Sequence, residues 1–115
     1  MMSQDLLERI LKNDFELNLD KIIKFLLLYK KGDFIYPSTI KEHFDFNKKD
    51  VYKLLSILEQ EKIVKMYYEA FCYSCNRSIK MYDTFAEIDV SFSCDNCEDI
   101  LNIENNIKIV YKVVK

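Results

Sequence analysis

The stretch CYSCNRSIKMYDTFAEIDVSFSCDNC, residues 72 to 97, holds all four cysteines of the chain, as two pairs with two residues inside each pair and eighteen between them. Two residues between thiols let a tight turn aim both sulfurs at one point, and two such turns supply four sulfurs to one tetrahedral ion. Cys72, Cys75, Cys94 and Cys97 fit the C-x2-C…C-x2-C spacing that reads as zinc. One structural Zn2+ is expected, because four thiolates close the coordination shell, whereas a catalytic zinc keeps an open position and usually takes His or carboxylate ligands. Paired disulfides, a redox switch that releases zinc on oxidation, and an iron-sulfur cluster are the other uses of such a set.

The whole chain limits the setting of that site. It has 115 residues, the length of one ordinary domain or of two very small ones. Half of it is hydrophobic, with one Gly and one Pro, which argues against disorder. The N-terminus MMSQDLLERILKND carries acids from Asp5 onward and lacks the basic and apolar regions of a signal peptide, so a cytoplasmic protein is expected. The most apolar run, residues 22 to 31, is interrupted by Lys24 and is far shorter than the roughly 20 residues of a membrane span. Reducing conditions in that compartment favour metal over disulfides.

Between the cysteine pairs IKMYDTF alternates as a strand, AEID breaks it, and VSFS resumes it. After the second pair come ILNI, the turn residues Glu104, Asn105 and Asn106, and a strand IKIVYKVV with Ile107, Ile109, Tyr111 and Val113 on one face and Lys108 and Lys112 on the other; Val110 and Val114 share the lysine face, which is therefore expected to be only partly exposed. Knuckle, hairpin, knuckle, strand resembles a zinc ribbon over roughly residues 71 to 115. Such a module has too little core to fold without its metal.

Residues 18 to 71 follow another pattern. DKIIKFLLLYKK reads as a buried helix stopped at Gly32, FIY as a short extended piece, and STIKEHF, with Pro37 in its first turn, as a second helix with Ile40 and Phe44 as core. Asn47 is an N-cap, with Asp50 three residues on complementing the positive helix end. Val51, Leu54, Leu55 and Leu58 then recur at i, i+3, i+4 and i+7, the buried stripe of a third helix, and IVKMYYEAF follows as a strand. This order, with V-Y-x-L-L-x-x-L-E-x-E-x-I-V across residues 51 to 64, resembles the winged helix-turn-helix superfamily, and the joined arrangement is similar to transcription factor E.

The fold expected is therefore α+β: an amphipathic N-terminal helix in 1–17, a winged helix-turn-helix in 18–71 and a four-cysteine zinc ribbon with the C-terminal strand in 72–115. The strand at 63–71 runs straight into Cys72. The ribbon is then either appended or inserted at the wing tip, with strand 107–114 returning beside residues 63–71; insertion is the preferred arrangement.

Charge bears on partners. Residues 21–65 hold ten Lys and no Arg against six acids, net +4, while residues 1–20 and 66–115 are each net −3. A zinc ion with four thiolates adds about −2 to the last segment. In a DNA-binding winged helix the third helix enters the major groove; here its polar face carries Lys48, Lys49, Tyr52, Lys53 and Ser56, residues that neutralise phosphates or donate hydrogen bonds. Neither Arg9 nor Arg77 lies on that helix, so bidentate reading of guanine is not expected from it. The stripe Leu6, Leu7, Ile10 and Leu11 either forms a homodimer through residues 3–13 or packs on its own module.

Two functions fit. One is a small regulator or transcription-complex component with the third helix on DNA and the acidic ribbon on a protein partner. The other is a protein-binding adaptor subunit of a larger assembly, with no specific DNA binding. A residue usage rich in Lys, Asn, Ile, Phe and Tyr suggests a low-GC bacterial or phage gene, where a defence system is one such assembly. No enzymatic role is expected: the sole histidine, His43, has no nucleophile beside it in sequence, and one Gly cannot build a phosphate loop.

Overall fold

The computed structural model describes residues 3–89, 91–97 and 100–115. The chain divides into two compact units, a helical one formed by Met1–Lys65 and Tyr111–Lys115, and a cysteine-bearing one formed by Met66–Val110. The second is thus enclosed in sequence between two parts of the first. The architecture is mixed helix and sheet.

In the helical unit, α1 (Gln4–Leu11) starts at Ser3, whose hydroxyl accepts from the Leu6 amide, an N-cap that satisfies one free helical donor. Part of its stripe is buried within the chain: α1 packs against the next helix, α2 (Leu19–Leu26), and a later one, α4 (Lys48–Gln60). Leu7 and Leu11 are fully buried there, while Leu6 and Ile10 are half-buried. A 3-10 turn at Glu16–Asn18 leads into α2.

The helix expected to run to Gly32 ends instead at Leu26. The next amides, of Leu28 and Tyr29, turn back to the carbonyls of Phe25 and Leu26 in tightened i to i−3 bonds, and the Asp33 carboxylate takes the Lys30 amide at 2.8 Å. A short side chain offering the backbone a local bond competes with helix continuation. Gly32, at φ 98°, serves the turn after it rather than the helix end, a backbone conformation that costs a residue with Cβ more.

Strand β1 (Phe34–Ile35) is followed by α3 (Pro37–Phe44), with Pro37 in its first turn, where a missing N–H costs nothing. Ile40 is fully buried and Phe44 half-buried. Asp45, at φ 55°, reverses the chain, and Asn47 caps α4 by accepting from the Asp50 amide at 2.8 Å. Val51, Leu54, Leu55 and Leu58 form the buried stripe of α4, between 0 and 2% exposed, as their spacing requires.

Beyond α4, β2 (Val64–Cys72) and β3 (Arg77–Tyr82) are antiparallel, with Cys72 opposite Arg77 and a register shift between Ala70 and Phe71. A second pair, β4 (Ser91–Ser93) and β5 (Ile100–Asn102), places Phe92 opposite Leu101. A four-residue helix, α5 (Ile103–Asn106), then leads into β6 (Ile107–Val113). The larger sheet has the order β1-β6-β2-β3, so the C-terminal strand returns beside the one that enters the cysteine segment.

Two expectations change here. β3 and β4, the strands between the knuckles, do not pair with each other; each is joined through a knuckle to the strand on its far side, because a tight turn brings together the segments that flank it. The residues between them form a 3-10 turn at Phe85–Glu87, held by the Thr84 hydroxyl donating to the Glu87 carboxylate at 3.0 Å. The expected apolar face of β6 changes at one position: Tyr111 and Val113 are buried and Val110 leaves the lysine face only partly exposed, as expected, but Ile109 is 36% exposed. Among the described residues no helix is long and apolar enough to cross a membrane.

Candidate metal centre

Each cysteine pair lies on a hairpin turn. β2 delivers Cys72, the chain turns through Tyr73 to Asn76, and Asn76 takes φ 55° before β3 begins. Asparagine tolerates that left-handed region better than most residues. The second turn follows β4, with Cys94 directly after Ser93, and Cys97 closes it.

Together the two turns converge. The Sγ atoms of Cys72, Cys75, Cys94 and Cys97 all lie within 4.8 Å of one another. Cys72 and Cys97 approach to 3.5 Å, and Cys94 and Cys75 to 3.7 Å. Sulfurs at the corners of a tetrahedron around an ion with bonds of about 2.3 Å stand about 3.8 Å apart. The four thiols, none of them joined in a disulfide, therefore fit one tetrahedral ion in both chemistry and spacing.

Burial is graded across the set. Cys72 and Cys94 are at most 1% exposed and pack with Leu101, while Cys75 and Cys97 are half-buried beside Ile79 and Phe92. Donors converge on the sulfurs. The backbone N–H of Cys97 is the main influence drawing the Cys94 thiol down to about 7; burial opposes it, and the Asn96 N–H and the thiols of Cys75 and Cys97 assist. Hydrogen bonds to the charged form favour that form. The Asn96 side chain also donates to Cys75 Sγ at 3.3 Å. Asn96 was not singled out in the sequence, although its place inside the second C-x2-C was the available signal.

The knuckles rest on a small core. Ala70, Tyr82 and Ile88 are buried, with Tyr68, Ile79, Phe92, Ile103 and Ile107 packed against them. Asn106 joins the C-terminal turn to β2: its Nδ2 donates to the Phe71 carbonyl at 3.1 Å and its Oδ1 accepts from the Asn102 amide at 3.1 Å. Residues 66–110 fall well below the roughly 70–80 at which a domain holds itself by its core alone, so a staple is needed.

The α4 residues singled out from sequence lie away from the thiols in the chain, in the helical unit. Lys48, Lys49, Lys53 and Ser56 are exposed and Tyr52 is half-buried. Lys53 is already engaged: its Nζ lies 3.3 Å from the Asp14 carboxylate and 5.9 Å from the Phe15 ring centroid. Lys48 and Tyr52 share a shallow pocket of about 200 Å³ with Pro37, Lys41 and Val51. Lys41 thereby joins the basic surface, a placement the sequence hides because it depends on how α3 crosses α4. His43 is exposed and sets its ring against Phe25, 4.8 Å between centroids.

No protein family, curated protein or solved structure was found to match the chain.

Proposed function

We propose that the chain is a zinc-stabilised winged-helix protein that binds DNA through α4, as a small regulator or transcription-complex component whose cysteine unit docks on a protein partner. The observation that carries this reading is the outward arc of α4. It presents Lys49, Lys53, Ser56 and Gln60 to solvent, with Lys48, Lys41 and the exposed Glu59 to one side and Asp50 to the other. A basic strip on an otherwise acidic chain is the electrostatic footprint that phosphates select.

The winged-helix assignment is supported by the order α2, β1, α3, α4, β2, with β6 between β1 and β2 in the sheet. Zinc in a structural role is supported by the soft S4 donor set, whose four thiolates would fill a tetrahedral shell. Protein docking by the cysteine unit is supported by its exposed apolar side chains, Tyr73 at 57%, Phe85 at 56% and Ile100 at 82% exposed. Those same side chains also favour the adaptor reading, in which α4 contacts protein instead of DNA.

Lys53 is available despite its ion pair, because an exposed pair of this kind contributes only about 0–1 kcal/mol and yields readily to a phosphate. About three lysine contacts give a slope near −0.9 times three, so affinity for duplex DNA should fall roughly 40-fold between 50 and 200 mM salt. The double variant Lys48→Glu, Lys49→Glu should abolish that binding and keep its fold, since both side chains are exposed. Lys53 is left in place because reversing it would set a carboxylate against Asp14. Fluorescence anisotropy on the zinc-loaded chain measures this. Association no tighter than about 0.1 mM at physiological salt, equal in wild type and variant, would remove the DNA reading and leave the adaptor.

A further inference from the structure

We propose that the groove between α2 and the C-terminal half of α3 docks an acidic amphipathic segment of a partner protein. The groove has a volume of about 380 Å³ and is lined by Lys21, Lys24, Phe25, Leu28, His43 and Phe44. That volume lies at the lower end of ligand clefts and suits one or two large side chains.

Its floor is aromatic. Phe25, almost fully buried, stands 4.8 Å from the His43 ring and 5.3 Å from that of Phe44. Its rim is basic: Lys21 and Lys24 are both exposed, and among the described residues no carboxylate lines it. Leu28 stands at the rim, an apolar side chain left 76% exposed. A helix laid in a groove offers large apolar anchors on one side and leaves its other positions to meet the rim. Anchors such as Leu or Phe would cover Leu28, Phe25 and Phe44, and flanking Asp or Glu would meet the two lysines.

Other occupants fit less well. A second copy packed on this face about a two-fold axis would bring the lysines of both rims, Lys21 and Lys24 of each copy, into one interface with no lining carboxylate to offset them among the described residues. Duplex DNA would satisfy the lysines and leave Leu28 bare. The groove is also separate from the α4 surface: His43 and Lys41 are two residues apart on α3 and so lie on opposite flanks of that helix, Lys41 in the pocket with Lys48 and His43 in the groove with Phe25. The docking site does not depend on DNA binding, and either can fail alone.

Selection of random 12-residue peptides displayed against the zinc-loaded full chain, followed by anisotropy with the synthesised winners, tests the proposal. Enriched peptides should combine Leu, Ile, Phe or Trp with Asp or Glu. Lys21→Glu with Lys24→Glu should weaken them by at least about tenfold, and Leu28→Ser by about fivefold. All three side chains are exposed, so melting temperatures should stay at the wild-type value. Peptides with Asp and Glu exchanged for Lys should bind the doubly reversed variant instead. No enrichment, winners that are basic or uncharged, or affinities indifferent to the lysine reversal would each overturn the proposal. So would amide shifts at residues 21–28 and 43–44 caused by duplex DNA and not by the peptides.

Discussion

Cys94→Ser is expected to unfold the segment Met66–Val110 while α1 to α4 persist. Structural zinc sites supply roughly 10–16 kcal/mol of apparent binding energy, against the few kcal/mol a core of this size gives by itself. Cys94 is buried at the point where the two turns meet, so serine takes a thiolate from the fourth corner of the site and replaces it with a poor zinc ligand. The helical unit keeps its own core of Leu7, Leu11, Ile22, Leu26, Ile40 and the α4 stripe. It would still weaken, because its final strand, residues 111–113, is tethered through the unfolded segment. Closing a loop of that length costs on the order of 3 kcal/mol. Amide dispersion lost for residues 66–110 with far-ultraviolet helix signal retained is the expected spectrum. Full dispersion in the variant would show that the sulfur site does not hold the segment together.

Leu7→Asp should unfold the helical unit. Leu7 has no exposed surface in α1, which packs on α2 and α4. Emptying such a position costs about 3–5 kcal/mol, and placing a carboxylate there adds the desolvation of a charge. The sum is a large part of the 5–15 kcal/mol that typically holds a domain. Ile10→Asp, at a half-buried position of the same helix, should cost far less and so becomes the variant that tests a homodimer through residues 3–13. Denaturant titration separates the two variants: equal midpoints for Leu7→Asp and wild type would mean that α1 does not pack as described. Light scattering of Ile10→Asp beside wild type reads the oligomer.

Local chemistry was legible in the sequence, and so was the return of the C-terminal strand beside residues 63–71; the pairing of the strands between the knuckles was not. The α4 stripe follows from spacing alone, and its cap from Asn47 and the amide three residues on. Pro37 marked the start of α3, and the two C-x2-C turns marked the four thiols that meet. By contrast, alternation in IKMYDTF and VSFS identifies strands without naming their partners, and the partners proved to lie across the knuckles. The end of α2 was misplaced because apolar residues continue to Tyr29, while Asp33, well beyond them, captures the Lys30 amide. Three side chains took on roles that only the folded chain reveals: Asn106 bonded to β2, Lys53 held by Asp14, and Phe25 tilted against His43. Each joins residues far apart in sequence, with no periodicity to announce it.

Metal content of the chain purified without added ions, read by elemental analysis together with thiol titration, bears most directly on how the cysteine unit is held. One zinc per chain is expected, with all four thiols unreactive until a chelator or denaturant is added. No metal, with the cysteines freely reactive or joined as disulfides, would contradict the site, and iron with labile sulfide would contradict zinc.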